Sequence, residues 1–244
     1  MAPALRYISA GVVVTSVSRH SSYRSRAQAI LDGDFRVHSR VLDDIKAMRT
    51  RRHNVYRKIV EEILEHEDGA YWTAKTPADL RGCFTVSGNA RTTADDRRLR
   101  DLFDGVLGEI GITASETFTV STGEKFRRAC FEAMWQQRAG LYRMYAMLRH
   151  SSKVFYLEPD SKCHRLSEDV RKCVRDGGLI KGEIEELACA VYHASGKGIP
   201  SVYVTTEEVL FEGETHQKII NRICKILKIS EDECPQIEPL AEVY

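Results

Sequence analysis

GVVVTSVSRHSSYRSRAQAIL, residues 11–31, is the stretch on which the reading of the fold turns. Val12–Val14 is a continuous β-branched run, which suits a strand buried on both faces. From Arg24 onward, Ala27, Ala29, Ile30 and Leu31 suit a helix. Between them, Ser16 to Tyr23 is crowded with hydroxyls and an arginine. A strand that enters a helix through a donor-rich loop makes an anion site, because free backbone N–H groups and the helix dipole both favour negative charge. An ordinary polar connection with serine as N-cap is the other reading of the same residues.

Outward from this stretch, short apolar runs alternate with helical patterns. Residues 40–66 carry the stripe Val41, Leu42, Ile45, Met48, Val55, Ile59, Ile63 and Leu64, followed by an irregular segment to residue 98. Leu99–Leu107 reads as a helix, Thr117–Val120 as a second strand, and Lys125–Arg149 as a long helix entered through the polar turn Ser121–Glu124. Val154–Leu157 is a third candidate strand and Ser201–Thr205 a fourth, with helices over 180–195 and 218–227. The alternation predicts a three-layer α/β fold, a mainly parallel sheet flanked by helices. One domain over residues 1–244 is expected, with a helical or irregular insertion around 40–98. In such sheets ligands bind at the carboxyl ends of the strands, which points to the loops at 16–23 and 121–124.

Composition narrows the classes. At 244 residues and 43% hydrophobic content the chain can bury a sizeable core, and its net charge of +1 does not announce a nucleic-acid or membrane partner. No apolar run has membrane length, and the first residues lack the segments of a signal peptide. Seven cysteines without framework spacing predict free thiols and a cytoplasmic location. The densest His/Cys group, His150, Cys163, His164 and Cys173, has no C-x-x-C or H-x-x-x-H pair, so no metal is expected.

Residues 188–230, ACAVYHASGKGIPSVYVTTEEVLFEGETHQKIINRICKILKIS, resemble the C-terminal part of the P-loop sulfotransferases, bacterial type. Thr206-Glu207-Glu208-Val209 stands where the family has Y-E-D-L, and Ile223–Ile229 where it has I-C-x-F-L-G-I. Ser18-Arg19-His20-Ser21-Ser22-Tyr23 can be laid on the family's phosphosulfate loop, without its proline and glycine. Residues 125–140, KFRRACFEAMWQQRAG, resemble the family's L-R-R-Y helix through Arg127, Arg128, Gln137 and Gly140. The family's 3′-phosphate Arg and Ser fall near Thr122 and Phe131.

The resemblance implies transfer of a sulfuryl group from 3′-phosphoadenylyl sulfate to a hydroxyl on a small-molecule or glycan acceptor, without a metal. Ser18, Arg19, Ser21, Ser22 and Tyr23 would cradle the phosphosulfate, and Ser121, Thr122, Arg127 and Arg128 would meet the 3′-phosphate. His38 and His66 are candidate bases for the acceptor, and His20 a candidate anion stabiliser when protonated. Trp72, Trp135 and Tyr142 could stack a ring, although core packing is the expectation for both tryptophans. Two other classes fit the residues: a degenerate member of the fold that binds a nucleotide, anion or protein partner, and a nucleic-acid binder using the Arg-rich segment Arg19–Arg57.

Overall fold

The computed structural model describes residues 4–85, 93–156, 161–173, 181–195, 200–207, 210 and 213–240, except the side chains of 93–95, 161–164, 181 and 213. Strand β1 is Leu5–Ile8, and Val12–Val14 lies inside helix α1, Ala10–Val17. The expected burial is present, since all three valines are fully enclosed. A run enclosed on every side has no polar face to reveal its period, so strand and helix look alike in sequence. The strand expected at 12–16 is thus a helix. Residues 18–23 join α1 to α2 (Arg24–Asp32), two helices rather than a strand and a helix.

After α2 come β2 (Phe35–His38) and α3 (Ser39–Ile59), which continues into a π-helical turn, Val60–Leu64. The segment read as irregular holds α4 (Gly69–Thr73), α5 (Pro77–Leu80), a 3-10 turn and the start of α6 (Thr93–Ile110). The second expected strand, Thr117–Val120, is also corrected. Thr119 is the N-cap of α7 (Val120–Arg149), its Oγ1 accepting the Thr122 N–H at 3.1 Å, and Ser121–Glu124 is that helix's first turn. Then follow β3 (Val154–Phe155), α8 (Ser161–Cys173), α9 (Lys181–Ser195), β4 (Ser201–Thr205), α10 (Gly213–Leu227) and β5 (Gln236–Pro239). Leu157, the expected end of the third strand, lies outside the described residues.

The five strands form one parallel sheet in the order β3-β2-β1-β4-β5. Tyr7 pairs with Tyr203 and Ile8 with Val204. Successive side chains alternate between faces. Ile8, Phe35, Val37, Val202 and Val204 face a core shared with α1, α2, α3 and α7. Tyr7, Tyr203 and Ile237 face a second core made by α8, α9 and α10. Helices on both faces of a parallel sheet give the three layers. A third core lies off the sheet, where the far end of α3, α4, α5, α6 and the first half of α7 enclose Trp72, Phe84, Phe103, Phe118 and Phe126.

The strand order fixes where a crevice must open. From β1 the chain moves outward through β2 to β3, then returns across the sheet to β4 and β5 on the other side. The loops leaving β1 and β4 therefore diverge, and a parallel sheet leaves its crevice at that switch point.

Candidate functional site

At the switch point β1 is followed by Ser9 and β4 by Thr206 and Glu207. Ser9 is the N-cap of α1 but makes no capping bond with its side chain. The first N–H of the helix, that of Ala10, instead donates to Glu186 Oε2 at 3.0 Å. The acceptor at this helix N-terminus is thus a carboxyl group of the chain itself, on α9. Gly11 lets α1 approach β4, because a Cβ there would overlap the Thr206 hydroxyl. Arg98 of α6 fastens the two loops: Nη2 donates to Gly11 O at 3.1 Å and Thr206 Oγ1 at 2.8 Å, and Nε to Thr15 Oγ1 at 3.1 Å.

Four acids close on this edge. Asp44 comes from the second turn of α3, Glu183 and Glu186 from α9, and Glu207 from the end of β4, and all four are buried. Gly182 lies flat against the Asp44 carboxylate, where any side chain would overlap it. The carboxyl groups of Asp44 and Glu186 interact with each other at this buried edge, an arrangement that favours a proton on one of them. Burial raises both pKa values, and the charge of Asp44 holds Glu186 up further. Arg40 stands at the rim, its Nε 3.6 Å from Asp44 Oδ2 and 3.3 Å from Glu185 Oε2.

Tyr203 reports the field of the cluster. Burial first, then the charges of Glu186, Glu183, Glu207 and Asp44, push its phenol well above the usual range. Its hydroxyl, Ser9 Oγ and Glu186 Oε1 are buried without a hydrogen-bond partner. Unpartnered polar atoms among buried acids are costly unless something else binds there. Among the described residues, no three His, Cys, Asp or Glu groups are spaced to hold a metal ion as they stand. His38, at the end of β2 on the same edge, caps α3 by accepting the Arg40 N–H at Nδ1. Its ring packs on Phe155, and burial, then Arg40, lowers its pKa to about 4.

The other residues expected to bind or react are dispersed. Ser18 is buried, donating to Val14 O at 2.9 Å and accepting from Gln137 Nε2 at 2.7 Å, so its hydroxyl serves the α1–α7 contact. Arg19 pairs with Glu109 at 2.8 Å. His20 packs its ring on Gly105 of α6, and burial lowers its pKa. Ser21 Oγ accepts the Tyr23 N–H, Ser22 is exposed, and Tyr23 packs against the first core. Ser121 and Thr122 sit in the first turn of α7, about 22 Å along the helix from the Gln137 that holds Ser18. Arg127 pairs with Glu67 and Arg128 with Glu132. His66 stacks on Tyr71 at 3.9 Å, in the helical part of the molecule. The expected phosphosulfate and 3′-phosphate loops are thus a helix–helix turn and a helix's first turn, neither following a strand. Of the expected site residues, only His38 lies at the sheet's carboxyl edge.

The acids of the crevice were legible only in part. Glu207 directly follows a strand visible in the sequence, and Glu183 and Glu186 share the α9 face of Ile184 and Leu187, where an acid is out of place. Asp44, one of an Asp43-Asp44 pair on a charged helix, carried no such signal. Glu208 lies outside the described residues. Compared with known proteins, the chain significantly matches no family model, no curated protein and no solved structure.

Proposed function

We propose that the chain is a divalent-cation-dependent phosphodiester hydrolase with its reacting centre in the switch-point crevice. The observation that carries this reading is the burial of Asp44, Glu183, Glu186 and Glu207 at one sheet edge, beside the unpartnered hydroxyls of Ser9 and Tyr203. A hard dication prefers carboxylate and hydroxyl oxygens. Asp44, Glu186 and Glu207 are the residues that would hold it. There it would supply an activated water and a clamp on a phosphoryl oxygen. Hydrolysis would form a bond from the water oxygen to phosphorus as the bond to the leaving oxygen breaks, and the crevice carboxylate that takes the water's proton would return it to the leaving oxygen as the alcohol departs. The chain's own part is to hold the acids dry and fixed: Gly182 seats Asp44, the Ala10 N–H seats Glu186, and Arg98 ties the α1 and β4 loops.

The test is melting of the protein and cleavage of bis(p-nitrophenyl) phosphate, each against millimolar Mg2+ or Mn2+. Cation should raise the melting temperature and switch on cleavage, and Glu207→Gln and Glu186→Gln should remove both effects. Cleavage that survives chelation, or a melting temperature indifferent to cation, overturns the reading.

Sulfuryl transfer from 3′-phosphoadenylyl sulfate is the second reading. One observation favours it: residues 188–230 fold in the order α9, β4, α10 that the sulfotransferase resemblance implies. Titration with 3′-phosphoadenosine 5′-phosphate decides it, since a donor site must bind the desulfated donor.

A further inference from the structure

Helix α7 carries large aromatic side chains into solvent. Phe131, Trp135 and Tyr142 are 56%, 62% and 61% exposed, at positions i, i+4 and i+11. Such spacing places them on one side of the helix, over a length of about 16 Å. Beside Trp135 and Tyr142 runs a groove of about 750 Å³ between α7 and α3, lined by Arg49, His53, Arg138 and Arg143 among others. Beyond it, Phe131 joins Arg127 and Arg128 in a second cleft. Arg49, Arg138 and Arg143 take part in no ion pair among the described residues. The carboxylates of Glu132, Glu67 and Glu61 nearby are already paired, with Arg128, Arg127 and Arg57.

We infer that this groove binds a single strand of nucleic acid. Exposed ring faces offer bases a stack that any sequence can use, and the arginines between them meet phosphates and add cation–π contact. Charge complementarity selects the ligand class: the lining is cationic, and its apolar content is ring faces separated by guanidiniums. The aliphatic Leu141 at its floor is buried rather than offered to a partner helix. Along α3, His53 lies nine residues from Asp44, about two and a half turns and so on the opposite face, which makes the groove and the acidic crevice separate surfaces. Binding in the groove does not rest on the hydrolase reading.

The experiment follows a fluorescein-labelled 12-nucleotide oligouridine by anisotropy in chelating buffer, where no cleavage competes, with Trp135 fluorescence as a second signal. Binding should be saturable and weaken steeply with salt. Trp135→Ala and Tyr142→Ala should each weaken it at least about fivefold, and Arg49→Glu with Arg138→Glu should weaken it more than tenfold. All four positions are exposed, so these variants should melt as wild type does. The oligonucleotide should quench wild-type emission but not that of Trp135→Phe, whose remaining tryptophan, Trp72, is fully buried. Affinity unchanged in the Trp135 and Arg138 variants overturns the inference. So does quenching by polyglutamate where oligouridine gives none, which would make the groove a seat for an acidic protein. Binding in the groove with no cation-dependent cleavage would leave this inference standing and remove the hydrolase.

Discussion

The two ends of α3 present opposite solutions to the same problem of placing charge. Near its start, Asp44 is buried under Gly182, where burial raises its pKa. Farther along, Arg49 and His53 stand in solvent beside the rings of α7. Charge kept in water costs little and attracts a mobile partner over a distance. Charge buried away from water costs far more, and there burial raises the pKa of Asp44 although Arg40 stands at the rim. On the readings proposed above, the crevice suits a small ion or reacting group, and the groove a polymer. The difference lies in solvent access rather than in the helix that carries both.

That contrast can be broken first with the two tryptophans. Trp72 is fully buried and meets Phe118 and Phe126 edge to face, so Trp72→Ala should cost about 3–5 kcal/mol in urea unfolding. Trp135→Ala should stay within about 0.5 kcal/mol of wild type. A large loss at Trp135 would mean that the groove is part of the core.

The next effect belongs to Gly182. Gly182→Val drives a side chain into the Asp44 carboxylate and should destabilise by about 2–3 kcal/mol. Ala139→Val, in the groove lining, should change stability by less than about 0.5 kcal/mol. Equal melting curves for the two would show that the crevice is looser than its packing implies.

Titration sharpens the comparison further. Asp44 and Glu186 have folded pKa values above their ordinary 3.8 and 4.5, so the stability they contribute is complete below those values and is lost as pH rises through the folded ones. Cation-free protein should thus lose stability as pH rises above the ordinary carboxylate range, and Glu186→Gln should be about 1–2 kcal/mol more stable than wild type once that loss is complete. His53→Gln, in the groove, should leave the slope unchanged. A slope that survives Glu186→Gln would assign it to other groups.

The smallest effect is expected at His38. Its pKa of about 4 lies below the ordinary 6.5, so its contribution is complete above pH 6.5 and is lost as pH falls toward about 4. His38→Asn keeps an acceptor for the Arg40 N–H and removes the titration. Its melting temperature should then fall less on acidification. An unchanged acid limb would show that His38 does not report burial at this edge.

By itself the sequence determined the α/β class, the strand Ser201–Thr205 and the helices about Ala27–Ile30 and Ile184–Val191, because their apolar residues recur with a period set by one buried face. It misread Val12–Val14, where burial on every side erases the period, and Thr117–Val120, where the hydroxyl run caps a helix. It also passed over Leu5–Ile8, Phe35–His38 and Gln236–Pro239, four-residue strands too short to show an alternation against their flanks. The aromatics were ambiguous for a related reason: Trp72 and Trp135 have similar local surroundings, and only the packing of α4 onto Gly123 of α7 buries the first and leaves the second in solvent. The crevice was decided by tertiary structure alone. Asp44, Glu186 and Glu207 lie far apart in the chain, and what joins them is the strand order that sets β1 beside β4 and brings α9 down on Asp44.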